Sequence, residues 1–476
     1  LPIAVNPAFG RFVLIHKIIN MRFLFYLILL NLGLTVKAQT IKDSIIFKRI
    51  SETVLSNGKA YENLRFLCKQ VGPRLSGSPQ AEKAVKETFR MMKEMGADTV
   101  YLQPCMVPHW VRGSRSGAVL VDSNNNTTLL NVCVLGNSVG TGKNGIKAPV
   151  IEVRSFAQLD SLGEKNIKGK IVFYNFPMNP NYIETFRAYA EAGQYRGRGP
   201  SMAAKYGAVA VMVRSLASNI DDFPHTGAIT YNDSFPKIPA IAVSTRHAEM
   251  VSAQLRKKAG WKLFIRTESE MLPDVLSYNV VGEIRGTEFP NEIITVGGHL
   301  DSWDLAEGAH DDGAGCVQSM EIINVYKKLG IKPKRTIRVV MFMNEENGLR
   351  GGRKYAELAK AENKKHIFAL ESDAGGFTPR AFGFSVGGDT LARLRNWVPL
   401  FKPYGVYEFT EGGGGADIGP LRPLGTVLCG LRPDSQRYFD YHHAANDVFE
   451  SVSKRELELG ALNMVFLLYV IDQYGL

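Results

Sequence analysis

The sequence predicts an α/β protein: a mixed, mostly parallel central sheet flanked by helices, with a β-rich domain inserted near its middle. Three observations predict it. From about residue 271 onward, short apolar runs alternate with amphipathic stretches, as strand–helix repeats do. One run, Thr336–Met343, is nearly continuous in apolar residues, which suits a strand buried on both faces. Between about 126 and 270 the chain changes to short β-rich runs divided by turns, and ligand-type clusters vanish.

The elements follow in order. Residues 21–39 combine Arg22, an apolar stretch Phe23–Leu34 broken by Asn31, and small residues around Val36-Lys37-Ala38. This is the pattern of a secretory signal peptide, with an apolar core shorter than the ~20 residues a membrane span needs. Residues 1–38 are therefore read as an upstream extension plus signal peptide. The expectation is an exported chain, secreted or periplasmic, with no stable membrane anchor after cleavage. Residues 39–125 form the first part of the main domain. Thr40–Tyr61 is helix-like. Ser78 can cap a helix that opens on Pro79, carries Ala84, Phe89 and Met92 on one face and stops at Gly96. A strand follows at Thr99–Leu102.

Within 126–270, Lys170–Tyr174, Ala208–Val213 and Ile238–Ser244 read as strands, and Ser201–Tyr206 as a small helix. The segment carries a few acids and His225, and reads as a substrate-restricting module. The main part, 271–476, gives strands at Asn279–Ile284, Glu292–Val296, Thr336–Met343 and His366–Leu370. Helices are expected at Gly315–Leu329, Leu349–Ala361, Leu391–Phe401 and Lys454–Tyr474.

Charge and cysteines exclude some classes. The chain of 476 residues carries a net +11, but Arg11, Lys17, Arg22 and Lys37 lie within residues 1–40, which hold no acid. The remainder carries +7 and has no dense Lys/Arg run with interleaved aromatics, so nucleic acid is not an expected partner. Five scattered cysteines without a CxxC form no disulfide framework, and Cys316 is expected in the core.

The chemistry-bearing residues cluster at strand ends. His299, Asp311, Glu346, Asp373 and His443 offer two imidazoles and three carboxylates, a mixed set that suits divalent metals, zinc first. Two metals need a bridging carboxylate, and Asp311 in its glycine-flanked loop is the candidate. Asp301 could accept the second N–H of His299 and fix its tautomer. Glu345, left unligated beside Glu346, could act as general base. Taken singly, an acid pair is ordinary on a surface and Asp311-Asp312 would be a helix cap. Their joint order at strand ends points to a metal site.

The motifs HLDSWD, AHDDGAG, MNEENGLRG, ESDAGG and YFDYHHAAND occur in that order. By them the chain resembles the co-catalytic zinc peptidases, a family that includes bacterial leucine aminopeptidases and glutamate carboxypeptidase. VGPRLSGSPQAEKA, VPHWVRG and EGGGGAD look closest to the carboxypeptidase Q branch. The 126–270 segment is similar to that branch's protease-associated domain. The resemblance implies a zinc-exopeptidase fold holding two Zn2+ per chain. His299 and Asp373 would bind one ion, Glu346 and His443 the other, with Asp311 between them and a cis peptide joining Asp311 to Asp312. It implies Glu345 as general acid/base and Asp301 as its catalytic support through His299. His443 rather than His442 is the implied ligand, because an acid, Asp447, follows four positions later. His442, Asp417, Gly414 and Gly415 would face substrate, and Asp417 could meet a free amino group. His310 is read as structural. The implied partners are a peptide substrate and a second copy in a homodimer. The expected activity is hydrolysis of unblocked dipeptides or short peptides. The alternative is a leucine-type aminopeptidase on longer peptides. A glutaminyl cyclase-like acyltransferase and a metal-free receptor-like relative are weaker rivals, since all five ligand positions are filled.

Overall fold

The computed structural model describes residues 41–476. The expected signal segment within residues 1–38 lies outside the described residues. Of the described residues, 41–52 are helical and belong to one unit; Thr53–Leu476 is the second unit and holds both sheets. Among the described residues, no helix is long and apolar enough to cross a membrane.

The second unit opens with α1 (Ala60–Phe66) and α2 (Pro79–Glu94). The start of α2 follows from its sequence. Ser78 is extended and its hydroxyl accepts the Ala81 N–H at 3.1 Å, while Pro79 occupies the first turn. The predicted strand at Thr99 is longer than expected: β1 runs Thr99–Val111.

A sheet of its own follows. Its elements are β2 (Ser116–Val121), β3 (Thr127–Leu130), β4 (Val132–Val134), β5 (Ile146–Val153), α3 (Phe156–Ile167), β6 (Ile171–Tyr174), α4 (Thr185–Gly197), α5 (Gly199–Ala204), β7 (Ala210–Arg214), β8 (Ala240–Val243), α6 (Thr245–Lys257) and β9 (Lys262–Thr267). The strand order is β3-β2-β9-β5-β6-β7-β8-β4. β5 to β8 are parallel neighbours, with helices in the crossovers from β5 to β6 and from β6 to β7, and the flanks are antiparallel. The segment is therefore α/β at its centre rather than uniformly β-rich. β6, β7 and β8 are buried at every position, as strands covered on both faces must be. β2 pairs with β9 along its length and so belongs to this sheet, although it precedes the expected start at 126.

The remaining elements are β10 (Glu270–Ile284), β11 (Phe289–His299), α7 (Ala314–Leu329), β12 (Arg335–Phe342), α8 (Arg350–Ala361), β13 (Lys365–Glu371), β14 (Pro379–Phe384), α9 (Gly388–Arg395), α10 (Val398–Phe401), β15 (Glu408–Glu411), β16 (Val427–Pro433), α11 (Tyr438–Tyr441) and α12 (Lys454–Tyr474). With β1 they make a second eight-stranded sheet, ordered β1-β10-β12-β11-β13-β16-β14-β15. Its centre, β12-β11-β13-β16, is parallel. The fold class expected from the sequence is thus present. The one helix expected over Leu391–Phe401 is two, because the Pro399 ring cannot sit one turn beyond the Arg395 carbonyl within a continuous helix. In register, His299 lies opposite Phe342 and Gly297 opposite Glu371, so β12, β11 and β13 deliver their carboxyl ends to one edge. α7 starts beneath that edge. A Cβ on Gly315 would lie 1.8 Å from the Ser372 carbonyl, so only glycine allows this approach.

Candidate active site

Five chain segments meet beyond that edge. His299 ends β11, Glu345 and Glu346 follow β12, and Asp373 follows β13. Asp311 comes from the loop before α7, and His442-His443 from the turn after α11. His299 Nε2 lies 3.2 Å from Asp311 Oδ1 and 3.4 Å from Asp373 Oδ1. His443 Nε2 lies 3.2 Å from Asp311 Oδ2 and 3.1 Å from Glu346 Oε2. Asp311 therefore turns one oxygen to each histidine. His442 Nε2 is 3.5 Å from Asp311 Oδ2, and its ring stacks on His443 with centroids 3.5 Å apart. Of the two neighbours, His443 is closer to Asp311 and is the one paired with Glu346. Its backbone is left-handed, φ +64°, which turns the ring toward these carboxylates. The Asp311–Asp312 peptide is cis.

The tautomers of both histidines are set by backbone carbonyls, which can only accept. His299 donates from Nδ1 to the Asp301 carbonyl at 3.0 Å, and His443 donates from Nδ1 to the Thr226 carbonyl at 3.2 Å. Each leaves Nε2 facing the acids. Here the structure corrects the reading of Asp301. Its carboxylate stands 4.0 Å from His299 Nδ1 and instead accepts the N–H groups of Asn344 (2.6 Å), Glu345 (3.0 Å) and Glu346 (3.4 Å). Asp301 thus supports His299 through its backbone and holds the Glu345-Glu346 turn through its side chain. The reason is geometric: β11 and β12 end side by side, so the turn after β12 comes nearer to the carboxylate than the imidazole does.

Burial and mutual charge shape the site. Burial alone would depress the His299 imidazole, but Asp373, Asp311 and Asp312 hold it well above its ordinary value. His443 is raised likewise, against burial, by Glu346 and Asp311. Burial pushes Asp311 up, but His442, His299 and His443 hold it well below the usual range. Burial, with Asp311 adding, lifts Glu346 to about 7. Glu345 is pushed well up by burial and by Asp373 and Glu346, partly offset by His299. Its side chain makes no hydrogen bond or ion pair among the described residues and faces a cavity of about 230 Å³ shared with Asp311, Glu346, Asp373, His442 and His443. Among the described residues, no Lys or Arg pairs with Asp311, Glu345, Glu346 or Asp373, and Asp311 Oδ2 and Glu346 Oε1 are buried without a hydrogen-bond donor. A buried acid-rich set with no fixed cation fits divalent metal. The ligand atoms of His299, Asp311 and Asp373, and of Asp311, His442 and His443, each lie within 4.8 Å of one another.

A second cavity, of about 650 Å³, meets the first at Asp373 and Phe186 and is lined by Gly412–Gly415. Gly414 and Gly415 thus border open space near the cluster. Asp417 does not: it is fully buried, both its oxygens lack partners, and neither cavity includes it. The buried Glu371 carboxylate accepts the Ile418 N–H at 2.9 Å and the Asp417 N–H at 3.5 Å, which draws this segment inward and away from any substrate amine. His310 is structural, as read: it stacks on Phe377 and its Nδ1 accepts the Gly376 N–H. Asp447 accepts the N–H groups of His310 (2.7 Å) and Asp311 (3.2 Å).

Several contributors carried no motif signal. The buried Arg74 donates to the carbonyls of Leu300, Glu307 and Gly308 and so pins both ends of the loop that presents Asp311. From the segment between β7 and β8, Thr226 donates its N–H to the His443 carbonyl and accepts from its ring, while His225 Nδ1 donates to the His442 carbonyl at 2.7 Å. Tyr189 and Phe186 of α4 pack on Phe439 and Tyr438.

A fold with three strand ends presenting such donors defines a hydrolase of the metallopeptidase kind, and the comparisons agree. The model of "Peptidase family M28" matches residues 279–467. Mouse carboxypeptidase Q is 36% identical over 415 residues, covering 87% of this chain and 85% of the relative. The solved structure of a peptidase M28 precursor from Shewanella amazonensis SB2B superposes with a TM-score of 0.87 at 31% identity, covering 91% of this chain and 97% of that one. A zinc aminopeptidase from Bacillus subtilis shares the fold, with a TM-score of 0.62 at 20% identity over 86% of this chain and 93% of that one. The chain belongs to peptidase family M28 and is a metallopeptidase of that family.

Proposed function

We propose that the protein is an exported di-zinc exopeptidase that hydrolyses unblocked dipeptides or short peptides. The observation that carries this reading is Asp311, whose two oxygens face two separate His/carboxylate sets while Glu345 stands free beside them. His299 and Asp373 would hold one zinc and His443 and Glu346 the other, with Asp311 common to both. Bound zinc supplies a Lewis acid and brings water toward ionisation near neutral pH. The side chains do the rest. Nε2 of His299 and of His443 is left facing the acids by the carbonyl bonds at Nδ1. Glu345, raised by burial, takes the proton of the attacking water and returns it to the leaving amine. His442 lines the cavity beside the reacting carbonyl, and Gly414 and Gly415 border the neighbouring space where a side chain can lie. The 116–267 sheet acts as a protease-associated domain that limits peptide length. Export follows from the signal pattern, and a homodimer from the family resemblance.

A substrate panel tests this. Purified protein should carry close to two zinc per chain, lose activity with chelator, and cleave free dipeptides faster than N-blocked, C-amidated or longer ones. Full activity in metal-free protein sinks the mechanism. Preference for long peptides indicates the aminopeptidase reading.

A further inference from the structure

A third cavity borders the proposed metal site and has no part in the reaction as proposed. It measures about 10 Å³, and its polar walls are Trp303, Asp311, Glu346, His443 and Asp447. A single water needs roughly 10–15 Å³ and two to four polar partners. Trp303 is wedged into this wall. Its benzo edge lies against Gly136, in the connection from β4 to β5, where a Cβ would fall 1.8 Å from Cη2. Its ring meets Trp110 edge-on at 6.2 Å and His443 at 5.8 Å. The residue is 4% exposed, and among the described residues its Nε1 donates to nothing. Native folds rarely leave a buried donor unmet.

Glu346, on the same wall, is divided. Its Oε2 lies 3.1 Å from His443 Nε2, on the side where the two would share an ion. Its Oε1 is buried and accepts from nothing among the described residues. Asp447 adds two oxygens that accept the His310 and Asp311 N–H groups and keep further lone pairs. The cavity thus brings together an orphaned donor, an orphaned acceptor and a carboxylate with capacity to spare.

We propose that a single water occupies this cavity and ties Trp303 to Glu346, which makes Trp303 a positioning residue for one of the two ions. The proposal deepens the di-zinc reading and rests on it. The water accepts the indole N–H and donates one proton to Glu346 Oε1 and the other to Asp447. With Oε1 so engaged, Glu346 turns only Oε2 to the ion, and its carboxylate is fixed against a rigid ring. His299 and Asp373 do not line this cavity, so the effect falls on one ion and not on both.

Trp303→Phe keeps a ring beside His443 and removes the donor. In a chelator competition the variant should bind one of the two zinc ions roughly 10-fold more weakly than wild type, with the other unchanged. A crystal structure of the zinc-loaded wild type should show one water within hydrogen-bond reach of Trp303 Nε1 and Glu346 Oε1, with Glu346 bound through Oε2 alone. That measurement decides the matter if the variant does not fold. A dry cavity, or a Glu346 that gives both oxygens to the ion, overturns the proposal. So does a folded variant with unchanged affinity for both ions, or one in which both weaken alike, which would make Trp303 a packing residue only. Wild type that binds fewer than two zinc ions overturns the di-zinc reading instead.

Discussion

At the residue scale, two carboxylates divide the work. Asp301 accepts the N–H groups of Asn344, Glu345 and Glu346, whereas among the described residues the Glu345 side chain is bonded to nothing. Glu345→Gln removes the proposed proton acceptor and leaves every expected ligand in place. It should retain zinc, measured by elemental analysis, while kcat falls roughly 10²- to 10⁴-fold; near-normal turnover would remove Glu345 from the mechanism. Asp301→Ala strands buried donors, each costing about 1–3 kcal/mol. It should lower the melting temperature by several degrees as well as abolish activity, and an unchanged melting temperature would contradict the role assigned to its carboxylate. The proposed ligands were brought out as a group because their residue types stand at the ends of apolar runs: His299 ends a strand, and Glu346 and Asp373 each follow one. Arg74, His225 and Thr226 were not. They act through backbone carbonyls or from another sheet, and no spacing in the chain marks a contact such as His225 to His442, 217 residues away.

At the element scale, legibility followed burial. β12 and β13, apolar and covered on both faces, and α12, apolar over most of its length, match their predicted ranges closely. β14, β15 and β16 went unread because they are short, interrupted by Gly383 and Gly430, and partly charged. The inserted sheet was read as simply β-rich because its crossover helices are polar and punctuated by glycine, as at Gly163 in α3. Helix α7 carries a polar residue that its packing makes costly. Glu321 is buried, accepts the Lys59 N–H at 2.8 Å and the Asn324 amide at 2.6 Å, and so ties α7 to the start of α1. Burial raises its carboxyl from 4.5 to about 7. The folded state then keeps a proton that the unfolded chain releases. Stability from this group is full below about pH 4.5 and is lost as pH rises toward 7, at no more than about 1.4 kcal/mol per unit. Glu321→Gln should flatten that slope. The variant should melt above wild type at pH 7 and match it near pH 4.5; an equal difference at both would refute the assignment.

At the scale of the whole molecule, the two sheets share one loop. The β7–β8 connection of the inserted sheet holds His442-His443 by three hydrogen bonds: His225 Nδ1 to the His442 carbonyl, Thr226 N–H to the His443 carbonyl, and His443 Nδ1 to the Thr226 carbonyl. The last of these sets which imidazole nitrogen faces Glu346 and Asp311. A module expected only to restrict substrate thus also positions a proposed ligand. Burial lowers His225 to about 4, so it is a neutral donor across the physiological range and its hold does not switch with pH there. Partners of this kind are worth roughly 10- to 100-fold in metal affinity. His225→Ala should therefore weaken zinc binding about 10-fold in a chelator competition, while activity at saturating zinc stays near wild type because Glu345 and the ligands are intact. Zinc stabilises whatever state binds it by mass action, about 2.7 kcal/mol at a free concentration 100 times Kd. At limiting zinc the variant should consequently melt below wild type, with the gap narrowing as zinc is added. A gap that does not narrow, with affinity unchanged, would show that His225 only packs the seam between the sheets and that His443 is positioned without it.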